Sequence, residues 1–164
     1  MNIKAIVKLL TAILILADIP GCKSIKERYP QDFGFKVENM VETISSYDST
    51  YRRNYFRGDS IVKIQFSDSE LKDIYNSIIK NGLDRYPYNY SPTCKIHMMP
   101  NLETKIQFRI NGEYKTLESL YDCRTGPFKN RKNEKIRNTI TMIEKIAASK
   151  SEVKRLSKTN ITFL

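Results

Sequence analysis

The stretch SDSELKDIYNSIIKNG, residues 67–82, decides the fold that the sequence predicts. Ser67 and Glu70 have the spacing of a capping box, in which each side chain accepts a hydrogen bond from a free amide at the start of a helix. Gly82 lies where a left-handed residue commonly follows the last helical turn. Apolar side chains recur between them at helical spacing on one face, namely Leu71, Ile74, Tyr75, Ile78 and Ile79. We therefore expect an amphipathic helix that begins after Ser67 and ends before Gly82.

A β-hairpin is predicted after this helix. Ile106, Phe108 and Ile110 alternate with polar residues, which is the pattern of a half-buried strand. Asn111-Gly112 follows directly, and this dipeptide suits a type I′ turn better than most others. The returning strand, residues 113–117, carries charged side chains that suit an exposed sheet edge.

Two strands are predicted before the helix. Phe35 and Val37 alternate with polar neighbours, so the first strand starts near Phe33 and reaches toward Val41 without a clear end. Residues 62–66 alternate more regularly and form the second. The intervening DSTYRRNYFRGD, residues 48–59, has no apolar period and is interpreted as a polar loop, so the two strands are expected to pair antiparallel.

A second amphipathic helix is predicted from about residue 130 to 149. Its apolar stripe consists of Ile136, Ile140, Ile143, Ile146 and Ala147. Val153 and Leu156 extend the same pattern, and residues 159–164 are predicted to be a tail or an edge strand. The order strand, strand, helix, hairpin, helix predicts an α+β fold, with a small antiparallel sheet and two amphipathic helices packed on one face. Residues 33–158 would form this single domain.

The first residues have the layout of an export signal. Lys4 and Lys8 give a basic start, and residues 9–17, LLTAILILA, give an apolar core. Asp18 and Pro20 end that core well before the about 20 apolar residues that a membrane-spanning helix needs. A cleaved signal is therefore favoured over a membrane span.

Ile19, Gly21 and Cys22 resemble the lipobox of bacterial lipoproteins, although Pro20 is an atypical residue at its position. The resemblance covers only the first 22 residues. It implies that residues 1–21 are removed as a signal peptide, that Cys22 is acylated, palmitate included, and that residues 22–32 tether the domain to the membrane. Residues 23–24, Lys-Ser, do not resemble the acidic signal for inner-membrane retention. The outer membrane of a Gram-negative envelope is favoured, on either face.

Two three-residue stretches, Asp48-Ser49-Thr50 and Asp59-Ser60-Ile61, resemble the acceptor motif for O-linked glycans on exported proteins of Bacteroidota. This second resemblance implies an exported protein as well. It agrees with the lipobox.

Cys94 and Cys123 remain once Cys22 carries lipid. Two cysteines in an oxidising compartment predict a disulfide. One alternative is that Cys94 is a nucleophile beside His97, the single histidine. The other is that Cys94 and His97 bind a metal ion, with Cys123 as a third ligand. Four ligands are needed for a structural zinc site, so no metal and no cofactor are expected.

Two segments combine aromatic side chains with arginines or prolines in a way that suits binding to a partner. The candidate binding residues are Arg52, Arg53, Tyr55, Arg57, Tyr86, Tyr88 and Tyr90. Arginine and aromatic groups favour anionic partners, while tyrosine gives large contact area at low entropic cost. The net charge of +10 is consistent with an anionic partner or with a solvated basic surface. For both segments the alternative is that the tyrosines pack into the fold.

The sequence contains no phosphate-binding glycine loop and no recognisable triad. We therefore predict a lipid-anchored, noncatalytic binding or accessory protein of the cell envelope, either inhibitor-like or immunity-like or a subunit of an envelope complex. Its expected partner is another protein, and nucleic acid is not expected. The alternatives are binding of an anionic glycan, or a small hydrolase that uses paired carboxylates such as Asp68, Glu70 or Asp122.

Overall fold

The computed structural model describes residues 29–94, 103–125 and 128–161. The predicted signal peptide, Cys22, most of the tether and His97 lie outside these residues. The elements are β1 (Gly34–Glu38), β2 (Glu42–Ser45), β3 (Thr50–Tyr55), β4 (Gly58–Lys63), α1 (Asp68–Lys80), a 3-10 turn (Leu83–Arg85), β5 (Asn89–Tyr90), β6 (Glu103–Ile110), β7 (Glu113–Leu120), β8 (Arg124–Thr125), β9 (Phe128–Lys129), α2 (Arg131–Ser149) and the short α3 (Ser151–Lys154). The α+β class is confirmed.

The main sheet has seven strands in the order β4-β3-β2-β1-β6-β7-β5. All neighbours in it are antiparallel except β5 and β7, which are parallel. The predicted antiparallel pairing is therefore confirmed for five of the six strand pairs, whereas the small size was wrong and the β5–β7 pair makes the sheet mixed. Among the additional strands, β2 and β5 are short and β3 has a single buried side chain, so their pairing depends on contacts that a local pattern does not report.

The interpretation of residues 48–59 as a loop was wrong. β3 and the start of β4 occupy this stretch, and β2 precedes them, so β1 and β4 are not paired with each other. Val41 lies in the turn between β1 and β2. The strand β3 shows no apolar period because Tyr51 is its one fully buried side chain, held between Ile44 and Val62 on the neighbouring strands.

One row of buried side chains crosses the sheet and forms the centre of the core. Directly paired residues point to the same face, and the pairs place Tyr51, Ile44, Val37, Ile106 and Leu117 in line. All five are almost completely buried. Four isoleucines of the two long helices belong to the same cluster, Ile74 and Ile78 from α1 and Ile136 and Ile143 from α2.

The capping box of α1 is confirmed. The Glu70 amide donates to Ser67 Oγ at 3.3 Å, and the Ser67 amide donates to Glu70 Oε2 at 2.7 Å. Gly82 has a φ of 68°, as expected for the left-handed residue that follows the helix. Lys150 Nζ also donates to Glu70 Oε2 at 2.6 Å, which ties the start of α1 to the end of α2.

The α2 helix begins as predicted after residue 130. The Asn130 side chain accepts hydrogen bonds from the amides of Lys132 and Asn133. The side chain of Asn133 is 2% exposed, and it binds both the amide and the carbonyl of Leu120 at 2.9 Å. This side-chain amide therefore fixes α2 to the last residue of β7. The pattern at Val153 and Leu156 belongs to the separate helix α3.

The 106–117 hairpin is confirmed. Asn111 and Gly112 have φ values of 51° and 81°, as a type I′ turn requires. The expectation that β7 is an exposed edge was wrong in part, because β5 lies beside it and the Thr116 amide donates to the Tyr88 carbonyl at 2.8 Å. The segment between Pro87 and Pro92 thus supplies the short strand β5.

The predicted disulfide is present. Cys94 and Cys123 are joined, with their Cα atoms 5.2 Å apart. Within the described ranges, none of the helices is both long and apolar enough to cross a bilayer.

Candidate functional site

The strand β3 contacts residues 156–160, which we call the C-terminal segment. Arg53 Nη1 donates to the carbonyls of Leu156 at 3.3 Å and Ser157 at 2.9 Å, and its other nitrogens donate to Tyr51 Oη. The Tyr55 hydroxyl donates to the Ser157 carbonyl at 3.1 Å. Two of the candidate binding residues, Arg53 and Tyr55, therefore have partners inside the fold.

The turn between β3 and β4 forms a second contact with the same segment and leaves a depression beside it. The Phe56 amide donates to Asn160 Oδ1 at 2.8 Å, yet the Phe56 side chain is 79% exposed. The depression has a volume of about 650 Å³ and is called the tip depression. It is lined by Tyr55, Phe56, Arg57, Ser60, Arg155, Leu156, Ser157 and Asn160. This lining contains two arginines and no carboxylate among the described residues.

Arg52 does not join this depression. It is one residue from Tyr51 along β3 and so points to the opposite face of the sheet, where its Nε is 3.5 Å from Asp59 Oδ2. Of the four candidate residues in this region, Arg57 and Tyr55 line the depression and Arg53 supports it.

The tyrosine cluster lies at the other edge of the sheet, on and beside β5. The Tyr86 and Tyr90 rings are 4.9 Å apart in an edge-to-face arrangement, with Lys132 Nζ over both. Both rings pack against the core, and burial raises the pKa of each hydroxyl. Tyr88 is 63% exposed. Because β5 and β3 are at opposite sides of the sheet, the structure does not bring the two sets of candidate residues together.

The three carboxylates considered for hydrolysis have separate structural contacts. Asp68 Oδ1 accepts from the Tyr29 hydroxyl at 3.0 Å, and Glu70 is bound by Lys150. Asp122 is 2.8 Å from Arg124 Nε. Each of the three carboxylates thus has a different partner within the fold.

A second depression, which we call the α2 cavity, was not predicted from the sequence. It has a volume of about 330 Å³ and lies between the β1–β2 turn, the ends of β6 and β7, and α2. Its lining consists of Asn39, Met40, Val41, Glu103, Thr104, Ser119, Tyr121, Arg137, Ile140, Thr141 and Glu144. Glu144 lies four residues after Ile140, so helical periodicity places this acid beside the buried stripe, and that was the available signal.

Glu144 is a half-buried acid without an ion-pair partner among the described residues. Its Oε1 accepts a hydrogen bond from Asn39 Nδ2 at 3.4 Å. Burial and, next, repulsion from Glu42 raise the pKa of the Glu144 carboxyl to about 7, against the opposing effects of Arg137 and the Asn39 hydrogen bond. Near neutral pH the group is therefore partly protonated.

Glu42 connects Glu144 of the α2 cavity with the side chains that support the tip depression. The Tyr51 hydroxyl donates to Glu42 Oε2 at 2.5 Å, and Arg53 donates in turn to that hydroxyl. Burial, followed by the Glu42 hydrogen bond, raises the pKa of Tyr51 far above its ordinary value, so the hydroxyl stays protonated. The two depressions thus lie at the same end of the sheet and are joined by this row of side chains.

We expect the Glu144 carboxyl to make the stability of the protein fall as the pH rises from about 4.5 to 7. In that range the folded protein binds more protons at Glu144 than the unfolded chain does, so the free energy of unfolding decreases with pH. Allowing for solvent screening, Glu144→Gln should be about 1–2 kcal/mol more stable than the natural protein near pH 8 and nearly equal near pH 4.5. Urea unfolding of both proteins across this range measures the difference, and a difference that does not change with pH would contradict the expectation.

Within the described ranges, no group of three or more histidine, cysteine, aspartate or glutamate side chains is placed to hold a metal ion. Comparison with protein-family models, curated proteins and solved structures finds no match.

Proposed function

We propose that this chain is a lipid-anchored, noncatalytic binding protein of the cell envelope, and that the acidic surface of a partner protein docks at the tip depression. The observation that carries the proposal is the composition of that depression. An exposed phenylalanine, Phe56, lies there beside Arg57 and Arg155, without a carboxylate in the described lining.

Such a combination fits an interface better than a solvated surface. Aromatic and arginine side chains supply much of the binding energy in protein interfaces, and Phe56 and two arginines lie together here. The net charge of +10 favours encounter with an acidic partner, and the guanidinium groups of the depression, which have no ion pair within 4 Å among the described residues, would select its carboxylates.

The point at which the chain enters the domain supports the same proposal. The chain enters the domain beside the β6–β7 turn, where Asp32 accepts hydrogen bonds from the amides of Asn111 at 3.1 Å and Gly112 at 2.6 Å. The tip depression lies at the opposite end of the strands, about 25 Å away along β6 at about 3.3 Å per residue. A lipid on Cys22 would therefore leave the tip depression facing away from the membrane.

The envelope location is also supported by the disulfide, because such bonds persist in oxidising compartments. In the same proposal α1 and α2 cover one face of the sheet, as their shared buried cluster favours. The other face, with Lys36, Arg52 and Lys105, would stay open to solvent.

Site-specific photo-crosslinking in membranes of the native host tests the docking surface. A photoreactive phenylalanine analogue is placed at Phe56, and the matched control carries it at Tyr114, an exposed aromatic residue at the anchored end. We expect one discrete protein adduct from position 56 and none from position 114. The adduct should weaken about tenfold or more with the charge reversals Arg57→Glu and Arg155→Glu together. Equal labelling from both positions, or an adduct that ignores the charge reversal, would contradict the proposal.

A further inference from the structure

We propose that the α2 cavity is a binding site for one neutral sugar ring of an envelope glycan. This inference concerns a different site from the tip depression and a different class of ligand. The size of the cavity supports it, because a volume of about 330 Å³ falls at the lower end of the range for small-molecule sites.

The polar groups of the cavity match a ligand whose hydroxyls both donate and accept. Asn39 has a side-chain amide, and Thr104, Ser119 and Thr141 each have a hydroxyl. A carboxyl from Glu144 completes the acceptors. No single charge dominates, since Arg137 lines the same space as Glu144 and Glu103. A neutral molecule with several hydroxyls can form hydrogen bonds with all of these groups. A strongly charged molecule would be attracted by some of the charged side chains and repelled by the others.

Glu144 and Arg137 lie two helical turns apart on the same face of α2, so both can reach one ligand in the cavity. The Arg137 guanidinium stacks 4.8 Å from the centre of the Tyr121 ring, which holds it in place. Glu144 has its weak contact with Asn39 and no ion pair among the described residues. Adjacent hydroxyls of a sugar ring would supply the hydrogen bonds that this half-buried carboxylate lacks.

The apolar part of the lining suits the carbon-bound hydrogens of the same ring. Ile140 forms a buried floor, and the Tyr121 ring, 48% exposed, stands at the opening. An aromatic surface beside convergent polar groups gives both area and orientation to a bound ring.

Affinity should depend on pH, because a carboxylate accepts hydrogen bonds from hydroxyls more strongly than a carboxylic acid does. The charged groups that face Glu144 are Glu42 from β2, Glu103 from β6 and Arg137 from its own helix. Glu144 is expected to change its charge near neutral pH.

Saturation-transfer NMR on the full-length protein tests the inference with methyl glucoside, methyl galactoside and methyl mannoside as probes at millimolar concentration. We expect transfer to at least one of these neutral sugars, stronger near pH 8 than near pH 5.5. Glu144→Gln should weaken binding about tenfold and remove its pH dependence. The matched control Glu152→Gln, an exposed acid on α3 outside the cavity, should bind within about twofold of the natural protein.

Glucosamine and glucuronate serve as the charged probes in the same experiment. Transfer to glucosamine alone would overturn the inference in favour of a cation site, and transfer to glucuronate alone would overturn it in favour of an anion site on Arg137. It is also overturned if no neutral sugar binds, or if Glu144→Gln binds as well as the natural protein. Since Glu144→Gln is expected to be at least as stable as the natural protein, a loss of binding would not reflect unfolding, and thermal unfolding of the same sample checks this.

Discussion

Replacing both Cys94 and Cys123 by alanine is expected to lower the free energy of unfolding by about 3.5 kcal/mol. The bridge closes a loop between residues 29 positions apart, and the chain-entropy model assigns this cost to the freedom that the unfolded chain regains. Urea unfolding of the natural protein and the double variant, both monitored by circular dichroism, measures the difference.

The position of the bridge adds to this expectation. Cys123 is 2% exposed, and its carbonyl accepts from the amide of Asn130, the residue that caps α2. Asn130 Nδ2 also donates to the Thr93 carbonyl at 3.4 Å, next to the other half of the bridge. A reducing agent should therefore destabilise the natural protein and leave the double variant unchanged. Equal stability of the natural protein with and without reductant would show that the bridge has no such effect.

Phe35→Ala is expected to cost about 3–5 kcal/mol, the largest effect of a single substitution proposed for this protein. Phe35 is fully buried, and its ring lies 5.1 Å from that of Phe66 and 6.2 Å from that of Phe33. It pairs directly with Phe108 on β6, so its removal leaves a cavity at the centre of the sheet. The measurement is the midpoint and slope of urea unfolding.

Two controls separate packing from the loss of any phenylalanine. Phe35→Leu retains most of the volume and should cost less than half as much as Phe35→Ala. Phe56→Ala removes the same atoms from an exposed position and should change stability by about 0.5 kcal/mol or less. A large loss of stability from Phe56→Ala would mean that this ring supports the fold and is not kept for a partner.

Elements with strong local signals were predicted from the sequence. The capping box at Ser67, the type I′ turn at Asn111 and the apolar stripe of α2 each depend on residues within a few positions of one another. The strands β2, β3 and β5 lack such signals. β2 and β5 have only four and two residues, and β3 has a single buried side chain. The position of all three depends on hydrogen bonds to strands elsewhere in the chain, as with the parallel pairing of β5 and β7.

The candidate sites were predicted less completely, because residue type does not say what a side chain contacts. Arg53 was predicted to be a candidate binding residue for a partner, but it binds carbonyls more than 100 residues away in its own chain. Glu144 was overlooked because an acid on a helix is usually solvated, and its environment is created by Asn39 and Glu42 from another part of the chain. Both contacts arise only when the chain has folded.

The account depends most on an anchored protein in an oxidising compartment that presents the tip depression away from the membrane. The lipid anchor and the oxidised cysteines are tested most directly by the intact mass of the protein from the membrane fraction of its native host. The mass is taken with and without reduction and alkylation. We predict a chain that begins at Cys22 and carries acyl groups, in which Cys94 and Cys123 are alkylated only after reduction. A full-length chain without lipid, in which both cysteines react freely before reduction, would contradict the account.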